Sequence, residues 1–208
     1  MADVSAEMIK ELREATGAGM MDCKRALEAT DGNLEKAKDW LRQHGITKAA
    51  ERAGRSTGQG VVESYIHPGG QVGVIVELNS ESDFVARNEI FTNLAREIAL
   101  QVAGMSPLYV RREEVPSALV EHEREVALAT LRQEGKPDAM LDKIVEGKLN
   151  AFFKGICLLE QPYVRDDKRT VNDLVAEAVS TLKENIVVSR FARFKVGESP
   201  VTDLTASE

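Results

Sequence analysis

Val72-Gly73-Val74-Ile75-Val76-Glu77-Leu78-Asn79-Ser80-Glu81-Ser82-Asp83-Phe84-Val85-Ala86-Arg87-Asn88-Glu89-Ile90-Phe91 changes its hydrophobic period halfway along. Val72, Val74, Val76 and Leu78 recur every second residue, the spacing of a strand with one apolar face. From Phe91 the apolar residues Leu94, Ala95, Ile98 and Val102 recur at three and four, which predicts an amphipathic helix before Gly104. Between the two patterns, Ser80 to Phe91 reads as a strand-to-helix loop with Phe84 near its middle. Two readings of it stay open. In one, Ser82 or Asp83 caps a helical turn through its side-chain oxygen and Phe84 packs into the core. In the other, Phe84 is an aromatic anchor beside a carboxylate, held out by a rigid scaffold for another protein.

Working outward, Val62, Ser64 and Ile66 alternate ahead of Pro68-Gly69-Gly70, so Val61 to Leu78 is expected to form a β-hairpin that feeds the loop. The loop is thereby braced by a strand on one side and a helix on the other, as a preorganised contact requires. Upstream, three short helices end at Gly17, Asp31-Gly32 and Gly45, with Met20 to Ala29 as the second and Asn33 capping the third. Lys48 to Gly60 is basic and small-residue-rich, then glycine-containing, and is expected to be a flexible linker. Downstream, Pro107 to Arg112 is a short strand candidate. Pro116 to about Glu134 and Asp138 to Leu159 are two long helices broken by Gly135-Lys136-Pro137 and expected to pack antiparallel. Asp166 to Arg169 reads as a charged loop, Val171 to Leu182 as a further helix, and Ile186 to Val196 as a strand beside the hairpin. The expected class is α+β: a three-helix module over 1–54, a core over 55–198 in which helices cover a small antiparallel sheet, and a flexible tail over 199–208.

The 208 residues carry 43% hydrophobic and 29% charged side chains, ordinary for a globular protein. A formal net charge of -7 argues against broad binding to a phosphate backbone, which needs clustered Lys and Arg. Direct nucleic-acid binding is therefore not expected. No signal-peptide pattern opens the chain and no run approaches the roughly 18 apolar residues of a membrane span, so a cytoplasmic protein without membrane contact is expected. Cys23 and Cys157 are too few and too far apart for a disulfide framework or a zinc site and read as small buried hydrophobes. His44, His67 and His122 are scattered, and no metalloprotease, serine-hydrolase or cofactor-binding signature is present. Neither a cofactor, a metal nor covalent catalysis is expected. Thr16-Gly17-Ala18-Gly19-Met20-Met21 lacks the Gly-Lys-Ser/Thr ending of a phosphate loop. Its methionines either fill core gaps or form an adaptable docking surface, so Gly17, Gly19, Met20 and Met21 are docking candidates.

Four ordered segments resemble the bacterial elongation factor Ts family. They are Thr16-Gly17-Ala18-Gly19-Met20-Met21-Asp22-Cys23-Lys24, Asp83-Phe84-Val85, Cys157-Leu158-Leu159-Glu160-Gln161-Pro162-Tyr163 and Arg190-Phe191-Ala192-Arg193-Phe194. The family usually has Thr where this chain has Ser82, and the hydroxyl is kept. The first module is also similar to a ubiquitin-associated domain. The resemblance implies a nucleotide exchange factor in which Ser82, Asp83, Phe84 and Val85 meet elongation factor Tu near its Mg²⁺ site, dislodging the ion and releasing GDP. A non-catalytic adaptor working through the helical module alone is the alternative. Longer family members carry two sheet-bearing subdomains and this chain one set, which implies a homodimer. Exposed sheet edges and apolar faces tend to be paired, and Phe191, Arg193 and Phe194 on the last strand are the interface candidates.

Overall fold

The structure, a computed structural model, describes residues 4–198, so the tail expected at 199–208 lies outside it. The N-terminal helices are α1 (Ala6–Thr16), α2 (Met20–Ala29) and α3 (Leu34–Arg52). Ser5 caps α1 by accepting from the Met8 N–H, and Gly17 closes it in the left-handed conformation at φ 66°. Asn33 caps α3 by accepting from the Lys36 N–H. Leu12, Cys23, Ala26, Leu27 and Ala37 form the buried centre, with Met8, Ile9, Leu34, Trp40 and Leu41 around it. Each large side chain buried there adds about 1.5–3 kcal/mol of hydrophobic stabilisation.

The third helix does not stop at Gly45. It continues to Arg52, and a Cβ at Gly45 would lie 3.7 Å from Ala176 O and Ser180 Cβ, an ordinary contact distance. A single glycine in mid-helix costs only about 1 kcal/mol, and the alanines after it favour helix. The linker is correspondingly short, since β1 (Gln59–Ile66) begins at Gln59. β2 (Val72–Ser80) follows the turn, where the His67 N–H donates to Val72 O and Gly69 and Gly70 have positive φ.

α4 (Asp83–Ala86) is a single turn and α5 (Glu89–Met105) begins earlier than Phe91, with Asn88 Oδ1 accepting from the Ile90 N–H at 2.9 Å. α6 (Ser117–Gln133) and α7 (Asp138–Ile156) pack around Ala127, Leu131, Leu141, Val145 and Leu149. α7 ends at Ile156 rather than Leu159, and a 3-10 turn covers Leu158–Glu160. The strand expected over Pro107 to Arg112 is only an isolated bridge from Tyr109 to Cys157. The charged loop expected at Asp166 to Arg169 is instead β4 (Asp166–Thr170), paired antiparallel with β3 (Pro162–Tyr163). Backbone pairing there outweighed a sequence without apolar alternation. α8 (Val171–Leu182) and β5 (Ile186–Lys195) complete the chain.

The main sheet has the order β1-β2-β5. Val196 N–H donates to Gln71 O at the start of β2, and Asn185 N–H reaches Glu81 just past its end, so β5 runs antiparallel to β2. The fold is α+β, as expected. The chain gathers into two compact units. The first holds the chain to Glu63, Glu77–Arg96 and Asn172–Ser189; the second holds Ser64–Val76, Glu97–Val171 and the chain from Arg190. In the second, Gln101 and Gln161 are fully buried and satisfied: Gln101 Nε2 donates to Gln161 Oε1 and Pro162 O, and Gln161 Nε2 to Gly155 O. A buried amide pair with partners on every side fixes one arrangement of the backbone it joins.

Candidate functional site

The loop after β2 is held by a dense set of hydrogen bonds, all within the first unit. Ser82 is extended at φ -124° and ψ 159°, and its Oγ accepts from the Val85 N–H at 3.4 Å, capping α4. The same hydroxyl donates to Glu184 Oε1 at 2.6 Å, while the Ser82 N–H donates to Glu184 Oε2 at 3.0 Å. One carboxylate therefore takes both donors of one residue. Upstream, the buried Ser80 Oγ donates to Ser82 O at 2.9 Å. Glu81 Oε1 accepts from the Asn185 N–H at 2.6 Å, and Asn185 Nδ2 donates to Arg55 O at 2.9 Å. Bonds to a charged acceptor are the stronger kind, so this turn is fixed on its strand side.

What the turn presents is Phe84, 84% exposed. A lone exposed apolar residue is common on protein surfaces. Phe84 differs in that the backbone before it is locked while its ring gains no burial. Ala86 anchors the opposite side of the turn in the interior. Asp83 pairs with Arg87 at 3.0 Å, a solvated contact worth under about 1 kcal/mol that leaves the carboxylate at the surface. Val85 is half-buried. Ser82 is thus the cap, and Phe84 is not a core residue.

The second candidate loop joins α1 to α2. Thr16 Oγ1 donates to Leu12 O at 2.6 Å and accepts from the Ala18 N–H at 3.3 Å, so Gly17 to Gly19 is a tight turn. Met20 and Met21 follow on the first turn of α2, 59% and 64% exposed, rather than in the core gaps that were the other possibility. Next to them the buried Asp22 accepts from Arg25 at 2.5 Å and from Lys183 Nζ at 3.1 Å. Cys23 is fully buried; burial raises its thiol pKa, and burial likewise pushes the Cys157 thiol up to about 11. Neither is a poised nucleophile.

Lys183, Glu184 and Asn185 were missed from sequence. They form the turn between α8 and β5, with Lys183 at φ 65°. Nothing local marks them, since Glu184 meets a residue 102 positions away. A polar triplet closing a helix before a strand was the only available signal.

The last group lies in the second unit. Phe191 and Arg193 are half-buried and Phe194 is 70% exposed, the alternation expected of a strand. Phe194 joins Ile66, Val72, Ile75 and Val196 along an apolar depression of about 360 Å³ on the open side of the sheet. Arg193 donates to Glu198 at 2.6 Å. Among the described residues no group of His, Cys, Asp and Glu is placed to hold a metal ion, and no helix is long and apolar enough to cross a membrane.

Comparison with known proteins gives the family. A family model described as Elongation factor TS matches residues 31–198, and one described as UBA/TS-N domain matches residues 4–41. Elongation factor Ts of Nitratidesulfovibrio vulgaris is 54% identical over 194 residues, covering 93% of this chain and 97% of that relative. Elongation factor Ts of Desulfosudis oleivorans is 53% identical over 198 residues, covering 95% of this chain and all of the relative. That of Carboxydothermus hydrogenoformans is 53% identical over 195 residues, covering 94% and 90%. A helical module of the TS-N type, a small antiparallel sheet and identity above half across nearly the whole length leave one assignment: the chain belongs to the elongation factor Ts family of translation elongation factors.

Proposed function

We propose that this protein is a guanine nucleotide exchange factor for elongation factor Tu, with Asp83 and Phe84 as its working contact. The observation that carries the reading is an aromatic ring 84% exposed on a turn whose backbone is fixed before any partner arrives. In this reading Phe84 wedges between helices of the GTPase and Asp83 faces the residues around its Mg²⁺, with Ser82 and Val85 setting their approach. Mg²⁺ and the phosphate-loop amides together hold the diphosphate, so displacing either weakens GDP where its charge is concentrated. A preformed anchor spends little ordering entropy on docking. The chain itself makes and breaks no covalent bond, and it works in the cytoplasm, where elongation occurs.

Gly17, Gly19, Met20 and Met21 form the docking edge of the module over 1–54, and the core over 55–198 carries the exchange loop. Two copies pair through the last strand, β5, around Phe191, Arg193 and Phe194. The exposed methionines also favour a second reading, an adaptor that binds through this edge without touching nucleotide. Linkage separates the two. An exchange factor must bind nucleotide-free elongation factor Tu more tightly than the GDP complex, by the same factor by which it weakens GDP. Titration calorimetry against both forms is expected to show that difference; equal affinities would support the adaptor.

A further inference from the structure

The turn Lys183–Glu184–Asn185 joins the two candidate contact loops through three consecutive residues. Lys183 Nζ reaches Asp22 at 3.1 Å, two residues after Met20; Glu184 takes both donors of Ser82; and the Asn185 N–H holds Glu81. We propose that this turn is a positioning device for exchange, with Glu184 as its principal residue: it holds Ser82 so that α4 presents Phe84 in the orientation the partner GTPase needs. The inference rests on the exchange reading above and extends it to a residue that touches neither nucleotide nor, in its role, the partner.

Ser82 Oγ caps Val85 through one lone pair while its proton goes to Glu184 Oε1 at 2.6 Å, so the carboxylate holds the hydroxyl in the capping rotamer. Glu184 Oε2 fixes the Ser82 N–H at the same time, so the carboxylate sets both the rotamer of the capping side chain and the backbone that carries it. α4 is four residues long and has little helical stability of its own. Removing the carboxylate frees the cap, and the orientation of the exposed ring two residues later is freed with it. A misplaced anchor loses the interactions made at the transition state while the remaining contact surface still binds. Lys183 extends the same register to Asp22 on the first turn of α2, which carries Met20 and Met21, so both candidate contacts are set from one place.

The test measures release of labelled GDP from elongation factor Tu over a range of exchange-factor concentrations, with amide hydrogen exchange and melting temperature on the same variants. Glu184→Ala is expected to lower the saturating release rate roughly tenfold, the scale of losing a charge-assisted hydrogen bond, with the half-saturating concentration nearly unchanged. Amides from Ser82 to Arg87 should exchange faster while the rest of the chain keeps its protection. Glu184→Gln, whose amide can still accept from the Ser82 N–H and donate to its hydroxyl, should recover most of the rate. Ser82→Ala combined with Glu184→Ala should be no worse than the poorer single variant, because both break one unit. A wild-type saturating rate in Glu184→Ala, additive single losses, or no recovery in Glu184→Gln overturns the proposal. If Glu184→Ala fails to fold, Glu184→Gln and Ser82→Ala decide alone: a near-normal rate in the first with a reduced saturating rate in the second supports it, and any other pairing overturns it. Phe84→Ala runs alongside. If the wild type does not accelerate release, the exchange reading itself fails; if Phe84→Ala is slow and Glu184→Ala is not, only the positioning role fails.

Discussion

Phe84 packs against so little of its own chain that its removal should leave the fold intact. Phe84→Ala is expected to change stability by no more than about 0.5 kcal/mol, the usual range for a surface site, as read from thermal or urea unfolding. A loss of several kcal/mol, the size of a core Phe truncation, would mean that the ring is buried in solution. The first reading of this loop holds at Ser82, which caps the turn, and fails at Phe84, which lies at the surface and not in the core. The hydroxyl of Ser82 caps, as a residue of its type before a helical turn should. Phe84 stays outside because a four-residue helix turns its side chain away from the interior that Ala86 occupies. Composition could show that an aromatic was present, whereas its direction depended on Glu184, which is remote in sequence and close only after folding.

Two glycines test the account at the level of elements. Gly45 lies inside α3 with 3.7 Å of ordinary contact room, so Gly45→Ala should stabilise by roughly 0.5–1 kcal/mol through helix propensity. Gly60 on β1 is the opposite case. A Cβ there would stand 2.2 Å from Leu78 O, so Gly60→Ala must push backbone apart and should cost about 1–3 kcal/mol. Differential scanning calorimetry would show the melting temperature rise in the first and fall in the second; the reverse order would contradict the packing. Elements with strong periodicity and punctuation, such as α2, α6, the hairpin and β5, were legible. The misreadings share a cause. Gly45 looked like a stop because a glycine's neighbour in space, α8, cannot be read from the chain around it. β4 looked like a loop because Asp166-Asp167-Lys168-Arg169 is held by its pairing with β3 and not by an apolar face.

On the scale of the whole molecule, the open face of the sheet bears Ile66, Ile75, Phe194 and Val196, each between 48% and 70% exposed. An apolar surface of this kind beside β5, which ends the strand order of the sheet, favours pairing with a second copy related by a two-fold axis. Sedimentation equilibrium at micromolar concentration should return about twice 22.8 kDa, falling toward the single-chain mass in Phe194→Asp, a position exposed enough for the change to spare the fold. A single-chain mass for the wild type would rule the dimer out. The central claim is that the fixed turn presenting Phe84 drives nucleotide release. Stopped-flow fluorescence of labelled GDP leaving elongation factor Tu measures it most directly, at a saturating concentration of this protein in the presence of Mg²⁺. The account predicts strong acceleration by the wild type and, for Phe84→Ala, a loss of at least about thirtyfold, equivalent to the 2 kcal/mol or more typical of an anchor residue. Release at the wild-type rate by a folded Phe84→Ala variant would contradict it.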